Sequence, residues 1–179
     1  MKLRKLAMAL GLGFAALGAS AQTTVTGNMG VSATIAGTCG VTASALSFSV
    51  YDPAAATALS AQTTVAVNCS VGAGVLIVMG MGQNSVATPS VTRRLKTGTA
   101  GFLNYSIFAP TDGIPGTACT GSTTPWGGGT AATGGNALTI AAATTTAART
   151  WNVCGQIPAL QSTAPFGSYA DTVVVTVTL

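Results

Sequence analysis

The sequence predicts an all-β fold, a sandwich of short antiparallel strands, and three observations carry that reading. Val, Ile and Thr are plentiful, which favours extended backbone. Several stretches alternate apolar and polar residues with a period of two, so that one face of each is buried. Gly, Pro and Asn punctuate them at short intervals, and no helical pattern is long enough for an α/β fold.

The clearest alternation runs from Thr24 to Ile35. Val25, Gly27, Met29, Val31, Ala33 and Ile35 fall on one face; Thr24, Thr26, Asn28, Gly30, Ser32 and Thr34 fall on the other. Gly37 and Gly40 flank Cys39 and break the pattern. A new run follows with Leu46, Phe48 and Val50 on one face, and Asp52-Pro53 marks a turn. The Ala-rich stretch 54–62 is expected to be a loop or helical turn. Thr63 to Cys69 alternates again, and Val75 to Met81 is apolar enough for a core strand. Arg93 to Lys96 is an exposed strand or turn, and Phe102 to Phe108 is a strand with Leu103, Tyr105 and Ile107 inward. Residues 109–135 read as loops. Ala137 to Ala141 and Arg149 to Ile157 are short strands, followed by a loop from Pro158 to Gly167. Tyr169 to Leu179 is the final strand, with Val173, Val175, Val177 and Leu179 on one face.

Residues 1–21 read as a cleavable secretory signal. Lys2, Arg4 and Lys5 give the positive start, and Ala19-Ser20-Ala21 is a small-x-small cleavage site before Gln22. The apolar stretch between them, Leu6 to Gly18, is well short of the roughly 20 residues a membrane-spanning helix needs. No stable membrane insertion is expected. Residues 22–179 then make one domain of ordinary size. Cleavage also changes the charge. The whole chain is +4, but the mature part keeps only Arg93, Arg94, Lys96 and Arg149 against Asp52, Asp112 and Asp171. That leaves no electrostatic footprint for nucleic acid.

All four cysteines, Cys39, Cys69, Cys119 and Cys154, lie in the mature part, and an even count in an exported chain points to two disulfides. Three connectivities exist. The sequential pairs Cys39–Cys69 and Cys119–Cys154 are favoured, because they staple neighbouring strands without crossing the domain. Zinc is disfavoured by the absence of His and of any closely spaced Cys pair.

Catalysis has little to work with. Without His there is no Ser–His or Cys–His pair, and the three carboxylates are far apart in sequence. No catalytic residue, cofactor or metal is assigned. Gly11-Leu-Gly13 lies in the signal and is no nucleotide fingerprint. Asn68-Cys-Ser70 and Asn104-Tyr-Ser106 fit a glycosylation pattern but fall in expected strands. Arg93, Arg94 and Lys96 read as charge guarding a solvated strand edge, with an acidic-polymer patch as the alternative. Trp126 and Trp151 read as packing residues, with glycan stacking as the alternative.

The two ends are complementary. Leu179 still belongs to the apolar pattern of an edge strand, which proteins normally protect. The segment 24–35 offers a spare strand with an apolar face of its own, although it also reads as an ordinary first strand of its own domain. A strand given by one subunit to the next is strand addition, and because the contact is head-to-tail it makes a fibre.

The residues resemble the spore coat protein U domain family, which includes subunits of archaic chaperone–usher pili. The matching segments are Val25-Thr-Gly-Asn-Met-Gly-Val-Ser-Ala-Thr-Ile35, Cys39-Gly-Val-Thr42, Leu46-Ser-Phe48 with Tyr51-Asp-Pro53, and Val65-Ala-Val-Asn-Cys69. They continue with Arg93-Arg-Leu95, Phe102-Leu-Asn-Tyr-Ser-Ile-Phe108, Gly155-Gln-Ile-Pro158 and Gly167-Ser-Tyr-Ala-Asp-Thr-Val-Val-Val-Thr-Val-Thr-Leu179. The resemblance implies an incomplete immunoglobulin-like sandwich, residues 37–179, that lacks its last strand. It implies a donor-strand extension over 22–36, with Val25, Met29, Val31, Ala33 and Ile35 inserting and Gly27 at a close approach. It implies as partners a periplasmic chaperone, an outer-membrane usher and identical or related pilin subunits. It matches Cys39–Cys69 to the family's first disulfide. The function implied is a pilus subunit exported through the periplasm to a surface fimbrium that supports adhesion and biofilm formation. A tip adhesin, a secreted coat protein and a self-contained monomer are the alternatives.

Overall fold

In the computed structural model, residues 24–86, 92–98, 101–110, 113–119, 121, 123–127 and 137–179 are described; the signal read over residues 1–21 lies outside them. The chain divides into two units, residues 1–34 and 35–179. In the first, the described residues 24–34 form no strand, and Val25, Met29 and Val31 are exposed. This corrects the expectation of a strand with one face already buried. The alternation is present, but among the described residues these positions have no strand partner.

The second unit is all-β, and the described residues contain no helix. Its strands are β1 (Cys39–Ala43), β2 (Leu59–Cys69), β3 (Val75–Met79), β4 (Arg93–Lys96), β5 (Phe102–Phe108), β6 (Leu138–Ile140), β7 (Arg149–Ile157) and β8 (Val175–Thr178). One sheet has the order β1-β2-β7-β5-β4 and the other β6-β3-β8, and every pairing between these strands is antiparallel. The inward residues of both sheets meet in one core. Val65 and Val67 of β2, Leu103, Tyr105 and Ile107 of β5, and Trp151, Val153 and Ile157 of β7 face Val75, Ile77 and Met79 of β3 and Leu138 and Ile140 of β6. That two-layer arrangement follows from the period-two pattern, because each strand has a single apolar face to cover.

Two disulfides are formed, Cys39–Cys69 and Cys119–Cys154. The first joins the opening residue of β1 to its register partner at the end of β2. Next to it, Thr38 and Ser70 exchange backbone and side-chain hydrogen bonds: Ser70 N donates to the Thr38 carbonyl at 2.9 Å, and Thr38 N donates to Ser70 Oγ at 3.1 Å. The second ties the loop after Gly113 to β7.

Several boundaries differ from the sequence reading. β2 begins at Leu59, inside the stretch expected to be loop, because Leu59 and Ala61 turn inward and the strand pairs with β7 from Leu59↔Ile157 onward. The final strand is shorter than Tyr169 to Leu179. Its regular part is Val175–Thr178, and Ala170 is instead bridged to Lys96 of the other sheet. Arg93 is not solvated; it is 2% exposed. Trp126 and Trp151 are both buried, with Nε1–H groups donating to the Ile77 and Gly113 carbonyls, so neither offers a ring to a glycan.

Candidate functional site

The sandwich is open along the side where its two sheets end in β1 and β8. On the open side, β1 is the edge of the larger sheet and β8 the edge of the smaller one. The two edges touch at one end, where Gly37 stands 3.3 Å from Leu179 Cδ2 when given a Cβ. Beyond Ala43 they part. Ser44 makes the last bond to β2, donating to the Thr64 carbonyl at 3.0 Å. The chain then runs without strand partners to Tyr51, and residues 45–50 make no hydrogen bond with other described residues.

This arm is held by its side chains. Leu46 and Phe48 alternate inward and pack on the core, as the sequence pattern predicts. The Phe48 ring meets Tyr105 edge-on at 6.3 Å between centroids. Gly155 of β7 clears the space beneath them: a Cβ there would lie 2.6 Å from Leu46 Cδ2. Val50, expected on the same inward face, is instead 96% exposed, because past Phe48 the arm turns out towards Tyr51. Tyr51 anchors its far end, its hydroxyl donating to the Pro158 carbonyl at 2.8 Å and accepting from Gln161 N at 3.1 Å.

Between the arm and β8 lies a cleft of about 420 Å³. Val65, Met79, Ile107 and Val153 form its floor, and Val173 and Val175 line its wall. It continues into a wider hollow of about 880 Å³ between residues 46–51 and 164–171. Val173, Val175 and Val177 are half-buried and packed against the core, and the first two line the cleft. Leu179, expected on the same face, is 61% exposed. The cleft is therefore an apolar trough between the arm, which has no strand partner among the described residues, and the free edge of β8, whose other edge is paired with β3. An antiparallel edge strand uses only half of its backbone groups on its single neighbour, so each rim can accept a further strand.

A polar cluster fixes the start of the β8 wall. The Asp171 carboxylate accepts hydrogen bonds from Gln83 N, Asn84 N, Asn84 Nδ2 and the Tyr105 hydroxyl, the last at 2.7 Å. Arg93 lies beside it and donates to the carbonyls of Met79, Gly80 and Trp126. Burial lowers the Arg93 pKa, opposed by Tyr105 and Asp171. Burial, with the bond to Asp171, pushes the Tyr105 hydroxyl well above its ordinary value. The acceptors of Arg93 are main-chain carbonyls remote in sequence, so a pattern of side-chain types could not reveal them.

Of the residues singled out in the sequence, the fold brings Val173, Val175 and Leu46 together at the cleft. It leaves Val25, Met29, Val31 and Ile35 exposed. The spore coat protein U domain model matches residues 25–176. The chain belongs to the spore coat protein U domain family. No curated protein matches it. Among solved structures, this family member is similar to a chain of the pre-assembly complex between the chaperone CsuC and the tip adhesion subunit CsuE, from the archaic chaperone–usher Csu pili of Acinetobacter baumannii. The TM-score is 0.55 at 23% identity, and the match covers 82% of this chain but only 40% of that one. The shared property is the fold.

Proposed function

We propose that this spore coat U domain protein is a structural, non-enzymatic subunit of a chaperone–usher pilus that polymerises by donor-strand exchange. The observation that carries the reading is the apolar trough between an arm without strand partners among the described residues and the free edge of β8. It calls for one more strand with alternating apolar residues, and Val25, Met29, Val31, Ala33 and Ile35 make up such a strand. Residues 1–21 are the export signal, 22–36 the donor extension and 37–179 the acceptor sandwich. A periplasmic chaperone fills the trough first and an outer-membrane usher oversees the exchange. The finished fibre stands at the cell surface, where adhesion and biofilm formation are its roles.

The direction of the inserted strand follows from the ends of the trough. The acceptor's own chain leaves towards residue 35 at the closed end, by Gly37 and Leu179. A strand inserted parallel to β8 would bring the donor body to that same end, where it would collide with the departing extension. Insertion antiparallel to β8 puts the donor body at the wide end and lets the fibre grow in one direction.

The test is deletion of residues 22–35, with the chaperone co-expressed. The truncated subunit is expected to accumulate as a chaperone complex and to give no ladder in unboiled gel samples, whereas the full chain gives a ladder that collapses on boiling. Stable polymers from the truncated protein would sink the reading.

A further inference from the structure

Resting on the strand-exchange reading, we infer that successive subunits also touch body to body, the wide pole of one acceptor seating on the closed pole of its donor. The sandwich has two poles. Leu59, Ile157, Tyr51 and the 164–170 loop lie at one, and Cys69, Cys39 and Leu179 at the other, as the pairings β1–β2 and β2–β7 require. Each pole carries large apolar side chains that are exposed among the described residues. At the wide pole these are Val50 and Phe166, 96% and 105% exposed, on the two lips of the hollow. At the closed pole they are Val71, next to the Thr38–Ser70 bonds, and Leu179, beside Gly37.

Chain length forces the two poles together. With the donor strand antiparallel to β8, Ile35 comes to rest at the wide end of its acceptor. Ala36 to Thr38 then separate Ile35 from Cys39 of the donor body, at most about 14 Å when fully extended. Thr38 is not slack, because it is bonded to Ser70, so only Ala36 and Gly37 are free to extend. The donor's closed pole therefore arrives against the acceptor's wide pole. Val71 and Leu179 of one copy meet Val50 and Phe166 of the next. Such a contact is heterologous: different patches face each other, and the contact repeats along the fibre without closing. Two exposed apolar patches that would each be a liability on a free monomer become one buried junction.

The contact is tested by cysteine pairs in the assembled full-length polymer. Phe166→Cys and Val71→Cys are combined in one chain, and the fibres are treated with a short bis-maleimide, then boiled. A covalent ladder that survives boiling is expected from the double variant, with collapse to monomer for each single variant. Dimers from Phe166→Cys alone would mean that like poles meet, which overturns the head-to-tail junction. A double variant that gives the heat-sensitive ladder but collapses fully after treatment would overturn the body contact and leave strand exchange standing. Absence of any unboiled ladder from the unsubstituted protein would instead overturn the strand-exchange reading beneath it.

Discussion

Gly155 lies directly beneath Leu46: a Cβ at position 155 would stand 2.6 Å from Leu46 Cδ2 and 2.8 Å from Phe48 Cζ. The arm that forms one rim of the trough therefore depends on a missing side chain on β7. Between Ala45 and Val50 its backbone makes no hydrogen bond with the described residues, so the two side chains and the space beneath them set its position. Gly155→Val is expected to displace the arm and to destabilise the sandwich by about 1–3 kcal/mol, the usual cost of overpacking a filled core. The measurement is the urea midpoint of the purified protein. An unchanged midpoint with unchanged yield would mean that the arm is not positioned by Gly155.

The opposite rim rests on Asp171. Replacing it by Ala removes the acceptor of four hydrogen bonds at once, from Gln83, Asn84 twice and Tyr105. The donors left behind lie where the 82–84 turn meets the start of the β8 wall. A loss of about 1–3 kcal/mol is expected from those that are cut off from water. Asp171→Asn keeps one carbonyl oxygen and should lose less. The ordering Ala worse than Asn in denaturant unfolding checks the assignment, and the reverse ordering contradicts it.

The same bond sets an alkaline limit. Tyr105 is held protonated by burial first and by the bond to Asp171 second, so its folded pKa is raised. A raised pKa means that the folded state binds the proton more tightly than the unfolded state. The stabilisation is complete below the unfolded tyrosine value near 10 and is lost as pH rises beyond it. Unfolding midpoints followed from pH 8 to 11.5 are expected to fall above about 10. Tyr105→Phe, which has no proton to lose, should flatten that part of the fall. An equally steep fall in the Phe variant would assign the alkaline loss to other groups.

The sequence reading succeeded where the period-two pattern was local and failed where partners were distant. Leu103, Tyr105 and Ile107 alternate within one strand, and all three are buried as their spacing predicts. Leu46 and Phe48 follow the same rule, but the outward turn of Val50 depends on Tyr51 reaching Pro158, more than a hundred residues away. Arg93 looked like a surface charge because its compensation comes from the carbonyls of Met79, Gly80 and Trp126, which any residue types could supply. Leu59 to Gln62 looked like loop because Ala and Ser are weak strand formers; pairing with β7 overrides that local preference. The trough was legible only as an unfinished apolar edge, Val173 to Leu179. Its other rim is an arm whose lack of backbone partners is a property of three dimensions.

Cys39–Cys69 lies at the root of the segment proposed as the donor extension. The bridge lies at the first register pair of β1, where a pull on residue 38 would begin to peel β1 from β2. A Cys39→Ser/Cys69→Ser double variant should lose about 2–5 kcal/mol. It should also expose β1 to proteolysis before the rest of the sandwich, because β1 is an edge strand paired, among the described residues, with β2 alone. Limited proteolysis followed by N-terminal sequencing is the check. First cuts that fall elsewhere among the loops would show that the bridge stabilises the domain without guarding β1.

If subunits exchange strands as proposed, the register of residues 25–35 yields the most specific expectation. Val25 to Ile35 and Tyr169 to Leu179 are equal in length, so antiparallel insertion along β8 sets Gly27 opposite Val177 and Met29 opposite Val175. Towards that end the trough narrows, because β1 touches β8. A glycine is the residue that lets a backbone pass such a neck. At Val175 the cleft opens over Val65, Met79, Ile107 and Val153, and a long, flexible thioether suits that irregular space. Gly27→Leu is therefore expected to abolish the unboiled ladder while leaving the subunit bound to its chaperone. Met29→Leu, similar in volume, should keep it. Met29→Ala removes most of a side chain whose burial contributes about 1.5–3 kcal/mol, so its ladder should collapse at a lower temperature than that of the unsubstituted chain. Met29→Asp should give none, because the floor offers a carboxylate no partner. If Gly27→Leu polymerises normally and Ala33→Leu does not, the neck lies at the other end of the strand and the direction of insertion is reversed.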